Sequence, residues 1–166
     1  MNIIIPMAGL GERFSKAGFI HPKPLIPVID KPMYRYVVDC LPLSFATHLV
    51  FILRKSNDSV QLENDIHEHY SYLPRYTIIT LENETRGQAE TVLMAANILD
   101  MEQPTLVHNC DTYVTDEFQW EDIINQEVDG AISLFLSQEK RWSYARVDES
   151  SLLRVLRLIH VASNTL

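Results

Sequence analysis

The sequence predicts an α/β fold in which an open, mostly parallel β-sheet carries helices on both faces. Three observations support this: apolar runs of strand length, apolar residues at helical spacing between those runs, and a regular alternation of the two. Residues 49–53 (Leu-Val-Phe-Ile-Leu) show the first feature most clearly. A strand buried on both faces is apolar at every position, as expected in a parallel sheet.

The predicted elements follow one another from the N-terminus. Strands are predicted at 3–5, 48–54, 76–81 and 105–108, with the first ending at Pro6 and a further strand starting near 131. Helices are predicted from Pro32 to before Pro42, from a cap at Asn57 or Ser59 to about Tyr70, and over 88–99. Ligands of such sheets bind where the strands end at their carboxyl edge, so the loops there are the candidate site.

The loop after the first strand reads Ala8-Gly9-Leu10-Gly11. Two glycines one residue apart let the backbone bend closely round a ligand, and consecutive N–H groups of such a turn can converge on an anion. The basic residues that follow include Arg13 and Lys23. The loop therefore predicts a polyphosphate ligand.

Two better-known phosphate motifs do not fit this loop. The dinucleotide fingerprint G-x-G-x-x-G has Phe14 in its third glycine position, and the acidic Asp30 lies in a proline-flanked segment instead of ending a second strand. The G-x-x-x-x-G-K-[ST] loop is excluded because the chain contains no Gly-Lys pair.

Charge and composition narrow the function classes. The chain has 14 basic and 22 acidic residues, a net charge of −8, which argues against a nucleic-acid partner. Residues 1–35 carry five basic and two acidic residues, a local net charge of +3 that suits a small polyanion. No apolar stretch approaches the roughly twenty residues of a membrane span, so we expect no membrane contact and a cytoplasmic location.

Length and cysteine content complete these bounds. The 166 residues, 46% of them hydrophobic, suit one domain. Cys40 and Cys110 have no metal-ligand spacing, so reduced, packed thiols are expected, with no zinc site or disulfide.

Three joined motifs, P-M-A-G-x-G-x-R-F, P-K-P-L-I and K-P-M, resemble the nucleotide-binding signature of the sugar-phosphate nucleotidyltransferases, also called nucleotide-sugar pyrophosphorylases. The resemblance implies a Rossmann-like sheet of nucleotidyltransferase type, with Arg13 and Lys23 contacting phosphate as catalytic residues. It also implies nucleotide binding by the loop residues Ala8, Gly9, Leu10 and Gly11. The alternative is a glycine turn followed by a proline-stiffened surface loop.

A carboxylate follows the strand predicted at 105–108, in Asn109-Cys110-Asp111. Mg²⁺ is usually held by one or two carboxylates together with phosphate oxygens and water, so Asp111 suits a metal beside a phosphate loop. The resemblance implies that Asp111 binds the metal and that Asn109 orients it or contacts substrate. The alternative for Asp111 is a turn or helix cap.

Two further segments gain roles only from the resemblance. It implies that Gly87 and Gln88 surround the nucleobase, although a glycine before a helix is also an ordinary junction. It implies that Trp142, in W-S-Y-A, approaches the phosphorylated acceptor, although a tryptophan there could equally pack on a neighbouring strand. Which base is bound stays open.

The function implied is Mg²⁺-dependent transfer of a nucleoside monophosphate from a nucleoside triphosphate to a sugar 1-phosphate or similar phosphomonoester, with release of pyrophosphate. The partners are then those two small molecules; homo-oligomerisation stays open. After Asp148 the match decays and the family's second acidic metal ligand is not found, so we expect a single domain, 1–166, that lacks the family's C-terminal elements. A nucleotide-binding module without turnover and a nucleotide-sugar-dependent glycosyltransferase are the alternatives, the second disfavoured by Arg13 and the P-K-P segment.

Overall fold

A computed structural model describes residues 1–56, 58–115, 120–124, 129–134, 138, 144–145 and 158–159. Its Cα positions divide the chain into two compact units, Met1–Phe118 and Gln119–Leu166. Each unit is described by itself below. The single domain over 1–166 stays a prediction.

The first unit contains most of the described secondary structure. Its elements are β1 (Asn2–Met7), α1 (Glu12–Lys16), β2 (Pro27–Val28), β3 (Lys31–Pro32), α2 (Met33–Asp39), β4 (His48–Arg54), α3 (Ser59–Tyr70), β5 (Tyr76–Leu81), α4 (Gln88–Leu93) and β6 (Thr105–Val107). Short 3₁₀ helices lie at Lys23–Leu25, Leu43–Phe45 and Ala96–Ile98. The predicted alternation of strands and helices is confirmed.

The central sheet has the strand order β5-β4-β1-β6, and all its neighbouring pairs are parallel. β4 is buried from His48 to Leu53, as the continuous apolar run predicts. β1 lies between β4 and β6, so the loop that follows it is at the middle of the sheet's carboxyl edge.

Helices cover both faces of the sheet, as predicted. On one face, Tyr34 of α2 and Tyr70 of α3 pack around Phe51 of β4, with ring centroids 5.5–6.3 Å apart. On the other face, Ala95, which follows α4, packs in a cluster with Val50 of β4. Successive strand residues point to opposite faces, so Val50 and Phe51 mark the two layers.

The prediction that the first strand ends at Pro6 is wrong, because β1 continues through Pro6 to Met7. Asn2 N–H donates to Pro104 and His108 N–H donates to the carbonyl of Ile4, so the even-numbered residues of β1 bond towards β6. The pairing with β6 stops at Ile4. Pro6, which has no N–H, therefore faces the side where no further pairing occurs, and the strand loses no bond to β4.

Other boundaries also differ from the predictions. The helix predicted over 88–99 is α4, which ends at Leu93, followed by the 3₁₀ turn Ala96–Ile98. The predicted cap at Ser59 is wrong, because Ser59 is the first residue of α3 and its hydroxyl donates to the Ser56 carbonyl. Asp58 precedes α3 without a side-chain cap, and Asn57 lies outside the described residues. Residues 129–134 form no strand, contrary to the prediction near 131.

The second unit is described only in short pieces. Its described secondary structure consists of α5 (Trp120–Ile124) and the antiparallel pair β7 (Tyr144–Ala145) and β8 (Leu158–Ile159). Within the described parts of the chain, no helix is both long and apolar enough to span a bilayer.

Candidate functional site

Two adjoining cavities lie in the first unit, among loops that follow the carboxyl ends of the strands. Their volumes are about 390 Å³ and 340 Å³. Both are lined by Pro6, Gly9, Lys23 and Cys110. The larger, here called the first cavity, is also lined by Met7, Gly11, Glu12, Arg13, Phe14 and Pro24. The second cavity is also lined by Ala8, Leu10, Glu84, Thr85, Gly87, Gln88, Thr91, Asn109 and Asp111.

The structure therefore brings together every predicted site residue that it describes. Arg13 and Gly11 line the first cavity, whereas Asn109 and Asp111 line the second. Trp142 lies outside the described residues, and its role stays a prediction.

The two glycines of the first loop differ in what they do. Gly11 precedes α1 with φ at +64°, the left-handed region in which a side chain is strained. Gly9 has no such constraint, and a Cβ built on it would meet no protein atom within 4 Å. Gly11 thus shapes the chain, whereas Gly9 keeps space open beside both cavities.

Lys23 and Asp111 form an ion pair between the two cavities. Lys23, which lies between Pro22 and Pro24, is the first residue of the 3₁₀ helix Lys23–Leu25. Its Nζ donates to Oδ2 of Asp111, 88 positions later. Their side chains are 21% and 34% exposed, so the pair is only partly screened by solvent. The predicted phosphate-binding and metal-binding residues thus contact each other directly.

Arg13 is the second cation of the first cavity. It is exposed on α1, and none of the described carboxylates forms an ion pair with it. Its neighbour on the helix, Lys16, is instead paired with Glu12 at 2.9 Å. Arg13 is therefore available to an anion that enters this cavity.

Hydroxyl and amide groups form the wall of the second cavity before and within α4. Gln88 Nε2 donates to Oδ1 of Asn109. The hydroxyl of Thr91, a buried residue, donates to the Gly87 carbonyl at 3.2 Å and lies 2.6 Å from the hydroxyl of Thr85. Sequence reasoning missed both threonines, although Thr91 lies one helical turn beyond the predicted Gly87.

Gly87 itself has an extended backbone that any residue can adopt. A Cβ there would meet no protein atom within 4 Å. Neither backbone strain nor protein packing therefore explains the glycine at this position. The missing side chain leaves space at the wall of the second cavity.

Cys110 was predicted only as a packed thiol, yet it lines both cavities. Burial raises the pKa of this thiol to about 11, an effect that the Asp111 carboxylate reinforces and the Lys23 ammonium partly offsets. The thiol is therefore protonated near neutral pH and acts as an uncharged wall. The signal in the sequence was its position between two predicted site residues.

The residues present fit a magnesium ion that takes most of its ligands from a bound nucleotide and water. Asp111 offers a partly exposed carboxylate to the second cavity. Glu84 also lines it but lies 3.8 Å from Arg54 in an ion pair. Among the described residues no three His, Cys, Asp or Glu side chains form a metal cluster. Such a donor set suits Mg²⁺, which commonly keeps waters and one or two carboxylates.

The cavities are built by an open parallel sheet, a glycine turn, two basic side chains and a strand-end carboxylate. The chain matches the nucleotidyl transferase family over residues 2–157. It belongs to this family, as the motifs of the first loop predicted.

Two bacterial relatives agree with this family membership. Over 98 residues the chain is 29% identical to a UTP–glucose-1-phosphate uridylyltransferase of Bacillus subtilis strain 168, an alignment that covers 59% of this chain and 32% of the relative. It is 36% identical over 58 residues to the Escherichia coli K12 protein of the same name, covering 35% and 19%. The chain thus aligns with a third or less of each relative's length.

The solved structures include a nucleoside-diphosphate-sugar pyrophosphorylase from Vibrio cholerae RC9. It superposes with a TM-score of 0.73 at 29% identity, over 90% of this chain and 62% of that one. The nucleotidyltransferase type of the sheet is therefore confirmed.

Proposed function

We propose that the chain binds a nucleoside triphosphate across the two cavities and, with Mg²⁺, transfers its nucleoside monophosphate to a sugar 1-phosphate. The observation that carries this proposal is the meeting of the Gly9 turn, Lys23 and Asp111 at one edge of the sheet. The names of the relatives make UTP the first nucleotide to test.

The two cavities suggest a division of the ligand. The first contains Arg13 and Lys23, cations that would form charge-assisted hydrogen bonds with phosphate oxygens. The second has apolar Ala8 and Leu10 and the amide groups of Gln88 and Asn109, a mixed lining that suits a nucleoside. Lys23 lines both and would lie where phosphates and nucleoside join.

The chemistry requires no protein nucleophile. An oxygen of the acceptor phosphate forms a bond to the α-phosphorus, the bond between that phosphorus and the α,β-bridging oxygen breaks, and pyrophosphate leaves with its electron pair. The acceptor phosphate is already anionic, so positioning and charge stabilisation suffice and we assign no general base. Arg13 and Lys23 would stabilise negative charge on the phosphates, and Asp111 would hold Mg²⁺. When bound, Mg²⁺ would polarise the phosphate oxygens.

A nucleotide-binding protein with little turnover is the second candidate. The observation that favours it is that, among the described residues, no three His, Cys, Asp or Glu side chains come together as a metal cluster around Asp111. Mg²⁺ tolerates few protein ligands, but catalysis needs the metal fixed against the α-phosphate. We therefore expect the isolated monomer to bind a nucleoside triphosphate but to form product slowly or not at all.

Pyrophosphate release and a binding isotherm on the same sample separate these outcomes. The assay combines Mg²⁺, each common nucleoside triphosphate and a panel of sugar 1-phosphates and other phosphomonoesters. Release that depends on both substrates supports the transferase, and saturable binding without release supports the binding protein. If the chain shows no triphosphate binding and no pyrophosphate release, both candidate functions are refuted. Lys23→Ala tests the site, with Lys16→Ala as the matched control because Lys16 is exposed and paired with Glu12.

A further inference from the structure

The Lys23–Asp111 ion pair is more than a contact between two predicted site residues. Lys23 has no second carboxylate partner among the described residues, and its Nζ lies 5.7 Å from the centroid of the Phe14 ring. Asp111 is thus the counter-ion of Lys23. The Asp111 carboxylate is therefore paired with the same ammonium group that a bound phosphate would contact.

A metal-free polyphosphate meets two costs at this position. It must displace the carboxylate from Lys23, and it then leaves Asp111 unpaired beside its own negative charges. A polyphosphate that carries a divalent cation avoids both costs. Asp111 could then bind the cation, while the ammonium group of Lys23 pairs with phosphate oxygens.

We propose that Asp111 acts as an internal competitor for Lys23, so that the site rejects metal-free polyphosphates and admits their magnesium complexes. Because this role presupposes the triphosphate site proposed above, its test uses inorganic tripolyphosphate as well as UTP and does not rely on turnover. The pair makes phosphate binding and metal binding mutually dependent, since either ligand alone would leave one charged side chain without a partner.

The test is calorimetric titration of tripolyphosphate and UTP into the parent chain and Asp111→Asn, once in EDTA and once in excess Mg²⁺. In EDTA the variant should bind about tenfold more tightly than the parent, the scale of one partly exposed charged contact. In Mg²⁺ the order should reverse, because the variant loses its metal ligand. The sign reversal is the signature, since a simple binding residue would weaken binding in both conditions.

Glu82→Gln is the matched control. It also removes a carboxylate near the carboxyl edge of the sheet, but this one is 68% exposed, pairs with Lys55 and lines neither cavity. It should change the EDTA affinity by less than about twofold. A gain equal to that of Asp111→Asn would mean that any lost negative charge suffices, and would overturn the proposal.

Repeating the comparison in a Lys23→Ala background separates competition for Lys23 from plain repulsion by Asp111. If Asp111 acts through Lys23, most of the EDTA gain disappears in this background. If the full gain persists, Asp111 only repels the ligand and the proposal is wrong. No gain in Asp111→Asn, including no detectable binding by parent and variant alike, also overturns it.

Thermal unfolding checks that each variant folds, and Asp111→Ser replaces Asp111→Asn if the latter does not. The proposed transferase activity can fail independently. Normal Mg–UTP binding with no pyrophosphate release would refute turnover while leaving the competition intact.

Discussion

The side-chain amide of Gln88 donates to Oδ1 of Asn109, 21 positions along the chain, and so joins the first residue of α4 to the segment that follows β6. The bond consumes one donor and one acceptor and leaves further polar atoms of both amides for a ligand. Both residues line the second cavity, where we place the nucleoside.

This amide pair gives the first prediction. Gln88→Ala should weaken UTP binding by about 0.5–1.5 kcal/mol, the usual net value of a neutral hydrogen bond. It should leave tripolyphosphate binding unchanged, because that probe has no nucleoside. Calorimetry with both ligands in Mg²⁺ measures the difference. Equal losses for the two ligands would place Gln88 at the phosphates and contradict the division of the cavities.

Gly9 gives the second prediction. Gly9→Ala should leave the free energy of unfolding almost unchanged, because a Cβ there meets no protein atom within 4 Å. It should nevertheless weaken triphosphate binding, because the methyl group takes space beside both cavities. Urea unfolding and calorimetry provide the two measurements. Unimpaired binding would show that no ligand approaches this glycine.

Gly11 provides the contrasting substitution. Gly11→Ala should destabilise the fold by about 1–2 kcal/mol, the cost of placing a side chain in the left-handed region. The same urea measurement tests it. A stability equal to that of Gly9→Ala would mean that the loop relaxes away from its positive φ.

The basic side chains give the third prediction. Lys23→Ala should weaken Mg–triphosphate binding by about 1.5–3 kcal/mol, the value of a charged hydrogen bond. Arg13→Ala should have the same sign but a smaller effect, because Arg13 is more exposed and better screened. Lys16→Ala, which changes an exposed lysine that lines neither cavity, is the control. Unchanged affinity in both variants would show that neither Arg13 nor Lys23 contacts the phosphates.

The fourth prediction concerns Cys110 at high pH. Its pKa is about 11 in the folded protein, above the roughly 8.5 of an unperturbed thiol. Between these values the unfolded state loses its proton first, so stability is fully present below the lower value and falls as pH rises through the higher one. Urea unfolding across this window should show a steeper loss for the parent than for Cys110→Ala. Identical slopes would contradict the burial of the thiol.

Much of the fold follows from local pattern. β4 and β5 have the predicted limits because each apolar or β-branched run is bounded by polar or turn residues. Pro6 misled the prediction because its effect depends on which neighbouring strand its missing N–H would face. The end of α4 at Leu93 carries no glycine or proline signal, and the apolar spacing continues through the following 3₁₀ turn.

The site was predictable in its residues but not in its contacts. Glycine spacing and strand ends indicated the edge of the sheet to which Lys23 and Asp111 belong. That the two form an ion pair depends on loop paths separated by 88 positions. The burial of Cys110 likewise depends on packing that a single residue between polar neighbours does not reveal.

We propose that the loops around Gly9, Gly87 and Asp111 form one triphosphate site. Hydrogen–deuterium exchange with and without Mg–UTP can show whether they bind the ligand together. We predict that segments 8–13, 87–91 and 109–111 become protected together, with one shared dependence on UTP concentration, while α3, which lines neither cavity, does not change. Protection of only one of the three segments, or of none at saturating UTP, would contradict a common site.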